Sequence, residues 1–367
     1  MNDFFEKLQA GINKNVKGVH ASMMAESAIA TDYYWVKTPA LDLNRALSGS
    51  TQKGIQSRNL VGIVGPEHTF KSSFMVLCMV EAIKQGKKAV IIDTERGVNK
   101  EFCARWGLDL DNVFYVYTPF ISEVRSVLGQ IRETGETDLI IGLDSVGGLD
   151  RLKQFEDAAK GEMKADQGLL QKEIRSMLKL FLNVCITQNS IGIATGHMYG
   201  SPTTGVPMPD QIGGGKAMKL FPSILIQLYK QSIYEFPNKK GKERGKIVGT
   251  EIHASTLKNR MYPPFQTAIV KMNYKEGIQP YAGLLDLALT AGIIEQNSAW
   301  YSYEGEKRQG AENAEELIEL DGVLDKLDVW LEKTGYSTVS EEIQQAEELL
   351  EEEEKNTRKI KKIEQKD

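Results

Sequence analysis

The sequence predicts an α/β fold: a mostly parallel central sheet extended by antiparallel strands, with an N-terminal helix before it and a small α-rich domain after it. Three observations carry that expectation. Four short apolar runs, NLVGIVG (59–65), KAVIID (88–93), LIIGLD (139–144) and IGIATG (191–196), are separated by helix-like stretches such as 72–85 and 168–185. Buried strands alternating with helices are the pattern of a parallel sheet covered on both faces. Beyond Phe221 the alternation gives way to strand after strand, SILIQLY (223–229), IVGTEIHAST (247–256) and QTAIVKMNY (266–274). A glycine-led loop, GPEHTFKSS, joins the first apolar run to the first helix.

Taken in chain order, Phe4, Phe5, Leu8, Ile12 and Val16 recur at helical spacing, and the run AESAIA follows. This predicts an amphipathic helix over residues 3–28 that stands apart from the core, within an N-terminal segment, 1–35. The α/β core follows over 36–279. The turn material PNKKGKERGK between the first two late strands predicts an antiparallel hairpin that widens the sheet. Helical spacing returns in GLLDLALTAGII, which marks a small domain over 280–335, and the charge-segregated end EELLEEEEKNTRKIKKIEQKD lacks a core-forming face, so 336–367 reads as a mobile tail.

The bulk numbers narrow the function. With 367 residues and 41% hydrophobic composition the chain can bury one large core and a smaller second one. No stretch reaches the roughly 20 apolar residues of a membrane span, and the opening MNDFFEKLQAGINKNVKG is no secretory signal, so a cytoplasmic protein without membrane partners is expected. Cys78, Cys103 and Cys185 are odd in number and far apart, which speaks against a disulfide framework or a zinc site. The net charge of −5 hides an asymmetry: 20 acidic against 10 basic residues from Tyr301 onward leave the first 300 residues at +5. A basic body suits a polyphosphate, and the acidic tail is either a competitor for that surface or a merely solvated end.

The strongest chemical signal is Gly65, Pro66, Glu67, His68, Thr69, Phe70, Lys71, Ser72 and Ser73, between a buried strand and a helix. There a loop can wrap successive N–H groups around phosphate oxygens and aim the helix N-terminus at them. Lys71 would reach the β- and γ-phosphates of ATP and the Ser72 hydroxyl would hold Mg²⁺. One residue departs from the G-x-x-x-x-G-K-[ST] pattern: Phe70 stands where a second glycine is expected. Asp144, after another apolar run, is the acid that would orient Mg²⁺, through a water. IIDTE puts Asp93 and Glu95 at the same edge of the sheet, the edge where open α/β folds bind ligands, with Glu95 placed to polarise an attacking water.

Together these residues resemble the RecA-type homologous recombinases, in particular the phage branch typified by UvsX. The resemblance runs from VKTPALDLNRALSG (36–49) to AWYSYEGEKRQGAENA (299–314) and is most specific in IIDTERGVNKEFCARWGLDLDNV, GGGKAMKLFPS and LKNRMYPPFQTAIVKMNYKEGIQPYAGLLDLAL. It implies a RecA-like ATPase core, catalysis by Glu95, and stacking of Phe102 on adenine. Lys258 and Arg260 would reach the nucleotide of a neighbouring copy, although two cations on a strand edge could equally be solvated. His197 stands where the family keeps a polar γ-phosphate sensor.

The resemblance also implies two DNA loops, 155–167 and 198–215. The second is 18 residues rich in Gly, Pro, Thr and Ser, too long for an ordinary connection. Its closing Gly214 and Gly215 would let backbone N–H groups approach a phosphate, and Tyr199 is its one aromatic. Lys172, Arg175 and Lys179 fall on one helical face, either a cationic stripe that tracks a strand or an ordinary solvated face. The family's duplex-capturing site is weakly matched: Lys230 is kept and His253 replaces an arginine. The basic turn Lys239, Lys240, Lys242, Arg244 and Lys246 is a substitute for it or simply a solvated turn.

The expected function is therefore an ATP- and Mg²⁺-dependent DNA recombinase, forming a helical homo-oligomer on single-stranded DNA and pairing it with double-stranded DNA. Single-strand-binding and mediator proteins are candidate further partners. A ring-forming helicase with the same core and a weakly hydrolysing DNA-binding scaffold are the rival readings.

Overall fold

Ten strands form the central sheet: β1 (Asn59–Gly65), β2 (Lys88–Asp93), β3 (Val113–Tyr117), β4 (Leu139–Asp144), β5 (Ile191–Tyr199), β6 (Gln211–Ile212), β7 (Ile224–Tyr234), β8 (Ile247–Asn259), β9 (Thr267–Asn273) and β10 (Gly277–Gln279). The computed structural model describes residues 3–16, 21–160, 167–199, 211–236, 239 and 241–334. The strand order is β10-β9-β8-β7-β1-β5-β4-β2-β3, with β6 paired to the end of β5. From β7 across to β3 the pairing is parallel, and β8, β9 and β10 add antiparallel to β7.

The sheet is buried where its strands are apolar throughout. All seven residues of β1 and all six of β4 are buried, because helices cover both faces. On one face lies the helix Lys71–Lys84, whose Met75 and Met79 fill the space over Gly142. On the other, Ile121–Thr134 and Gln167–Thr187 pack together. Phe181 of the second helix is fully buried and lies where a Cβ on Gly192 would come within 2.8 Å of its ring, so Gly192 makes room for it. Phe181→Ala is expected to cost about 3–5 kcal/mol, read as a lowered denaturation midpoint.

Register decides what the edge of the sheet presents. Gly65 pairs with His197, Asp93 with Asp144 and Leu143 with Ala194, so β1, β2 and β4 end within about two residues of one another along β5, at one edge of the sheet. That edge is where the expected site residues gather.

Several elements differ from the sequence expectation, each for a physical reason. The N-terminal helix is Asp3–Asn15, followed by the short turns Met24–Glu26 and Ala28–Thr31, in place of one helix over 3–28. Phe4, Phe5 and Leu8 on it are exposed. β3 went unforeseen because VFYVY is an edge strand with Phe114, Tyr115 and Tyr117 exposed, so it lacks the polar-apolar alternation of a half-buried strand. The C-terminal unit has its helices, Leu284–Thr290 and Val323–Thr334 among them, and also a three-stranded antiparallel sheet of Glu295–Asn297, Trp300–Tyr303 and Glu306–Gln309. EQN and EKRQ are too short and polar to announce themselves as strands. The three cysteines are free and buried. No described helix is long and apolar enough to cross a membrane. The tail expected over 336–367 lies outside the described residues.

Candidate nucleotide site and nucleic-acid interface

The loop after β1 turns back through residues with positive φ, His68 (58°) and Phe70 (75°), before the helix Lys71–Lys84 begins. A left-handed conformation costs a residue with a Cβ about 1–2 kcal/mol, which is why a glycine is expected at position 70. Here the ring supplies compensation: Phe70 meets Trp106 edge to face, with centroids 5.2 Å apart, and Trp106 meets Phe102 at 6.4 Å. Phe102 is half-buried and its backbone N–H caps onto Asn99 Oδ1 at 2.8 Å.

Lys71 folds back over its own loop. Its Nζ donates to Pro66 O at 2.6 Å and Gly65 O at 3.0 Å, while Thr69 Oγ1 donates to Pro66 O at 2.7 Å. Burial holds the ammonium below its ordinary pKa, and Asp144, Glu95 and Glu67 pull it back up. A cation so held, against neutral oxygens, the carbonyls of Gly65 and Pro66 and the Thr69 hydroxyl, is ready for a stronger acceptor such as a phosphate oxygen. Thr195 Oγ1 donates to the Asp144 carboxylate, whose pKa is raised by burial and lowered by the Ser72 and Thr195 hydroxyls. A buried carboxylate near a hydroxyl at the start of a helix is an oxygen donor set suited to a hard cation such as Mg²⁺. Ser73 is buried against the core.

Of the two acids after β2, the structure separates the roles. Asp93 is fully buried and accepts from the N–H groups of Glu95 (3.0 Å), Gly97 (3.3 Å) and Val98 (3.0 Å) and from the Tyr115 hydroxyl (3.1 Å). It folds the segment. Glu95, freed from that task, points its Oε1 at Ser145 Oγ (2.6 Å), with His197 Nε2 3.6 Å away. Ser145 and Gly148 escaped the reading of the sequence. A Cβ on Gly148 would come within 2.7 Å of Glu95 Cγ, so the glycine gives the carboxylate its space. The signal was present in DSVGG, directly after Asp144.

His197 links this group to the DNA side. Its Nδ1 is buried with no hydrogen-bond partner among the described residues, and its carbonyl accepts from Gly213 N at 2.7 Å, near the end of the second expected loop. Residues 200–210 of that loop and 161–166 of the first lie outside the described residues, as does the Tyr199 side chain. Gly214 and Gly215 have φ of 84° and 62°, and a Cβ on them would meet Val146 and Gln171 at 2.7 and 2.5 Å. The Gly215 N–H is taken by Ile212 O at 2.8 Å, so that glycine is needed for backbone geometry and close packing before any phosphate contact.

Lys258 and Arg260 lie elsewhere. Lys258 pairs with Leu225, which pairs with Gly62, three residues before Gly65, so it sits about 10 Å short of the loop along the strand direction. Its Nζ donates to Leu220 O at 2.7 Å, at the end of the helix Lys216–Leu220; burial and Arg260 both lower its pKa. Arg260 is exposed. The pair is thus not assembled with this chain's own Lys71 and Glu95.

Lys172, Arg175 and Lys179 are all exposed on Gln167–Thr187, opposite the buried Ile174, Met177, Leu178 and Phe181. Lys230, on β7, is exposed and stands two residues beyond Leu228, whose carbonyl oxygen a Cβ on Gly65 would meet at 2.5 Å. His253 Nε2 stands 2.9 Å from Glu251, a carboxylate neighbour that works against capture of a polyanion. In the basic turn, Arg244 lies over the Tyr234 ring (5.1 Å) and donates to Lys239 O, and Lys246 is exposed. Lys240 and the Lys242 side chain are outside the described residues.

With this geometry in place, comparison with known proteins gives a consistent result. Residues 8–279 match the RecA N-terminal domain and residues 282–324 the RecA C-terminal domain. Protein RecA of Chloroherpeton thalassium is 29% identical over 299 residues, covering 79% of this chain and 77% of the relative. Protein RecA of Chlorobaculum tepidum is 28% identical over 294 residues (79% and 80%), and that of Heliobacterium modesticaldum 28% over 274 residues (72% and 74%).

Proposed function

Since this chain belongs to the RecA family, we propose that it is an ATP-dependent recombinase of the phage branch typified by UvsX, acting in the host cytoplasm. It coats single-stranded DNA as a helical filament of its own copies and pairs that strand with a homologous duplex. The observation that carries the reading is the gathering of Lys71, Ser72, Asp144 and Glu95 at one edge of the sheet while Lys258 and Arg260 sit away from it. That division suits a nucleotide held between copies, with one copy giving the loop and the other the two cations.

In this account Gly65 to Ser73 cradle the phosphates, Ser72 and Asp144 hold Mg²⁺, Phe102 faces the adenine, Glu95 orients the attacking water, and His197 senses the γ-phosphate. Mg²⁺ supplies charge neutralisation between phosphate oxygens, and the protein's share is positioning and electrostatics. Residues 1–35 serve polymerisation, 36–279 the ATPase and DNA loops, 280–335 a small C-terminal domain, and 336–367 a charged tail.

Measuring ATP turnover with and without single-stranded DNA tests the reading. Stimulation is expected. Turnover indifferent to DNA would favour a filament scaffold, the alternative that Phe70 in the phosphate loop keeps in view, and DNA unwinding in a strand-displacement assay would favour a helicase. For the DNA contacts, replacing Lys172, Arg175 and Lys179 together by Ala is expected to flatten the log–log salt dependence of single-strand binding by about 2, at roughly 0.7 for each lost phosphate contact. An unchanged slope would make the stripe an ordinary solvated face.

A further inference from the structure

We propose that Phe70 and Trp106 are positioning residues that clamp the phosphate loop to the segment carrying Glu95, so that the two walls of the nucleotide site move as one. The inference rests on the ATPase reading and adds to it.

Phe70 directly precedes Lys71 and Trp106 directly follows the helix Lys100–Arg105. Each wall has its own hydrogen bonds: Lys71 and Thr69 close the loop on Gly65 and Pro66, and Asp93 gathers Glu95, Gly97 and Val98. Those bonds do not cross from one wall to the other. The rings do, with Phe70 edge-on to Trp106 at 87° and Trp106 in contact with Phe102, all three packed against the same buried cluster.

Two features of the pair run against simple stability. Phe70 holds a backbone angle that favours glycine, and the Trp106 indole N–H is buried without a hydrogen-bond partner among the described residues. A glycine at 70 would remove the first burden and a phenylalanine at 106 the second. What the present residues keep is the ring-to-ring contact across the site. The indole is therefore held by its faces and edges, and its N–H is dispensable to the clamp.

The test uses the full chain with single-stranded DNA and compares Phe70→Ala, Phe70→Gly, Trp106→Ala, Trp106→Phe and the double alanine variant. Each alanine or glycine variant is expected to lower kcat about tenfold with KM for ATP within about threefold, a loss of positioning rather than of binding. The double variant should be no slower than the slower single, because both remove one contact. Trp106→Phe should retain kcat, and thermal unfolding reports whether each variant is folded at the assay temperature. If Trp106→Ala does not fold, Phe70→Gly and Trp106→Phe still decide. Additive losses in the double variant, Trp106→Phe as slow as Trp106→Ala, or kcat untouched by both Phe70 substitutions would each overturn the clamp. Failure of the unsubstituted chain to hydrolyse ATP would overturn the ATPase reading and the clamp together, whereas normal turnover in every variant would remove the clamp alone.

Discussion

Lys71→Ala is expected to lower Mg²⁺-dependent ATP turnover by about 10²–10³-fold, the range for loss of one preorganised donor to developing charge, and to remove ATP-dependent retention of single-stranded DNA. The ammonium is buried, and its acceptors are the loop carbonyls of Gly65 and Pro66. Those contacts are weaker than a contact with phosphate, so a bound nucleotide gains an ion pair that exists nowhere else in the loop. The same burial that lowers the pKa of Lys71 makes its charge a cost to the folded state, which alanine removes while freeing two carbonyl oxygens. The two effects oppose each other, and the unfolding midpoint should move by only a few degrees or about 1 kcal/mol. A steady-state ATPase assay with a thermal melt on the same sample separates lost chemistry from lost fold. Turnover within tenfold of the unsubstituted chain would show that Lys71 is not the phosphate cation.

Glu95→Gln is expected to do something different: to lower turnover by about 10²–10⁴-fold, the range for a positioned general base, while ATP and DNA stay bound. The amide is close in shape to the carboxylate, and its oxygen can still accept from Ser145 Oγ, so the local geometry survives. What goes is the ability to draw a proton from water. With the nucleotide intact, filaments should persist on DNA for far longer than those of the unsubstituted chain, read as slowed dissociation after dilution into competitor strand. Rapid release in ATP would separate hydrolysis from DNA retention and contradict the account.

β1, β2 and β4 were legible in the sequence to their ends because strands buried on both faces are unbroken apolar runs. The placement of Gly65, Lys71, Ser72, Asp144 and Glu95 at one edge of the sheet was legible because each lies at or just beyond the end of an apolar run. The edge strand Val113–Tyr117 was not, since exposed aromatics carry no burial pattern, and the C-terminal strands were too polar. Ser145 and Gly148 act through space on Glu95, and Phe70 finds Trp106 across 36 positions of chain; contacts of that kind leave no periodic trace. Lys258 and Arg260 came from family resemblance alone, and their distance from Gly65 became apparent only from strand register.

In the proposed reading ATP joins neighbouring copies and so sets the grip on DNA. Electron microscopy of the protein on single-stranded DNA, with a non-hydrolysable ATP analogue in one sample and ADP in the other, tests it most directly. A regular helical coat with the analogue that is lost or loosened in ADP is the expected result. Equal coating in both states, or scattered particles in both, would contradict it.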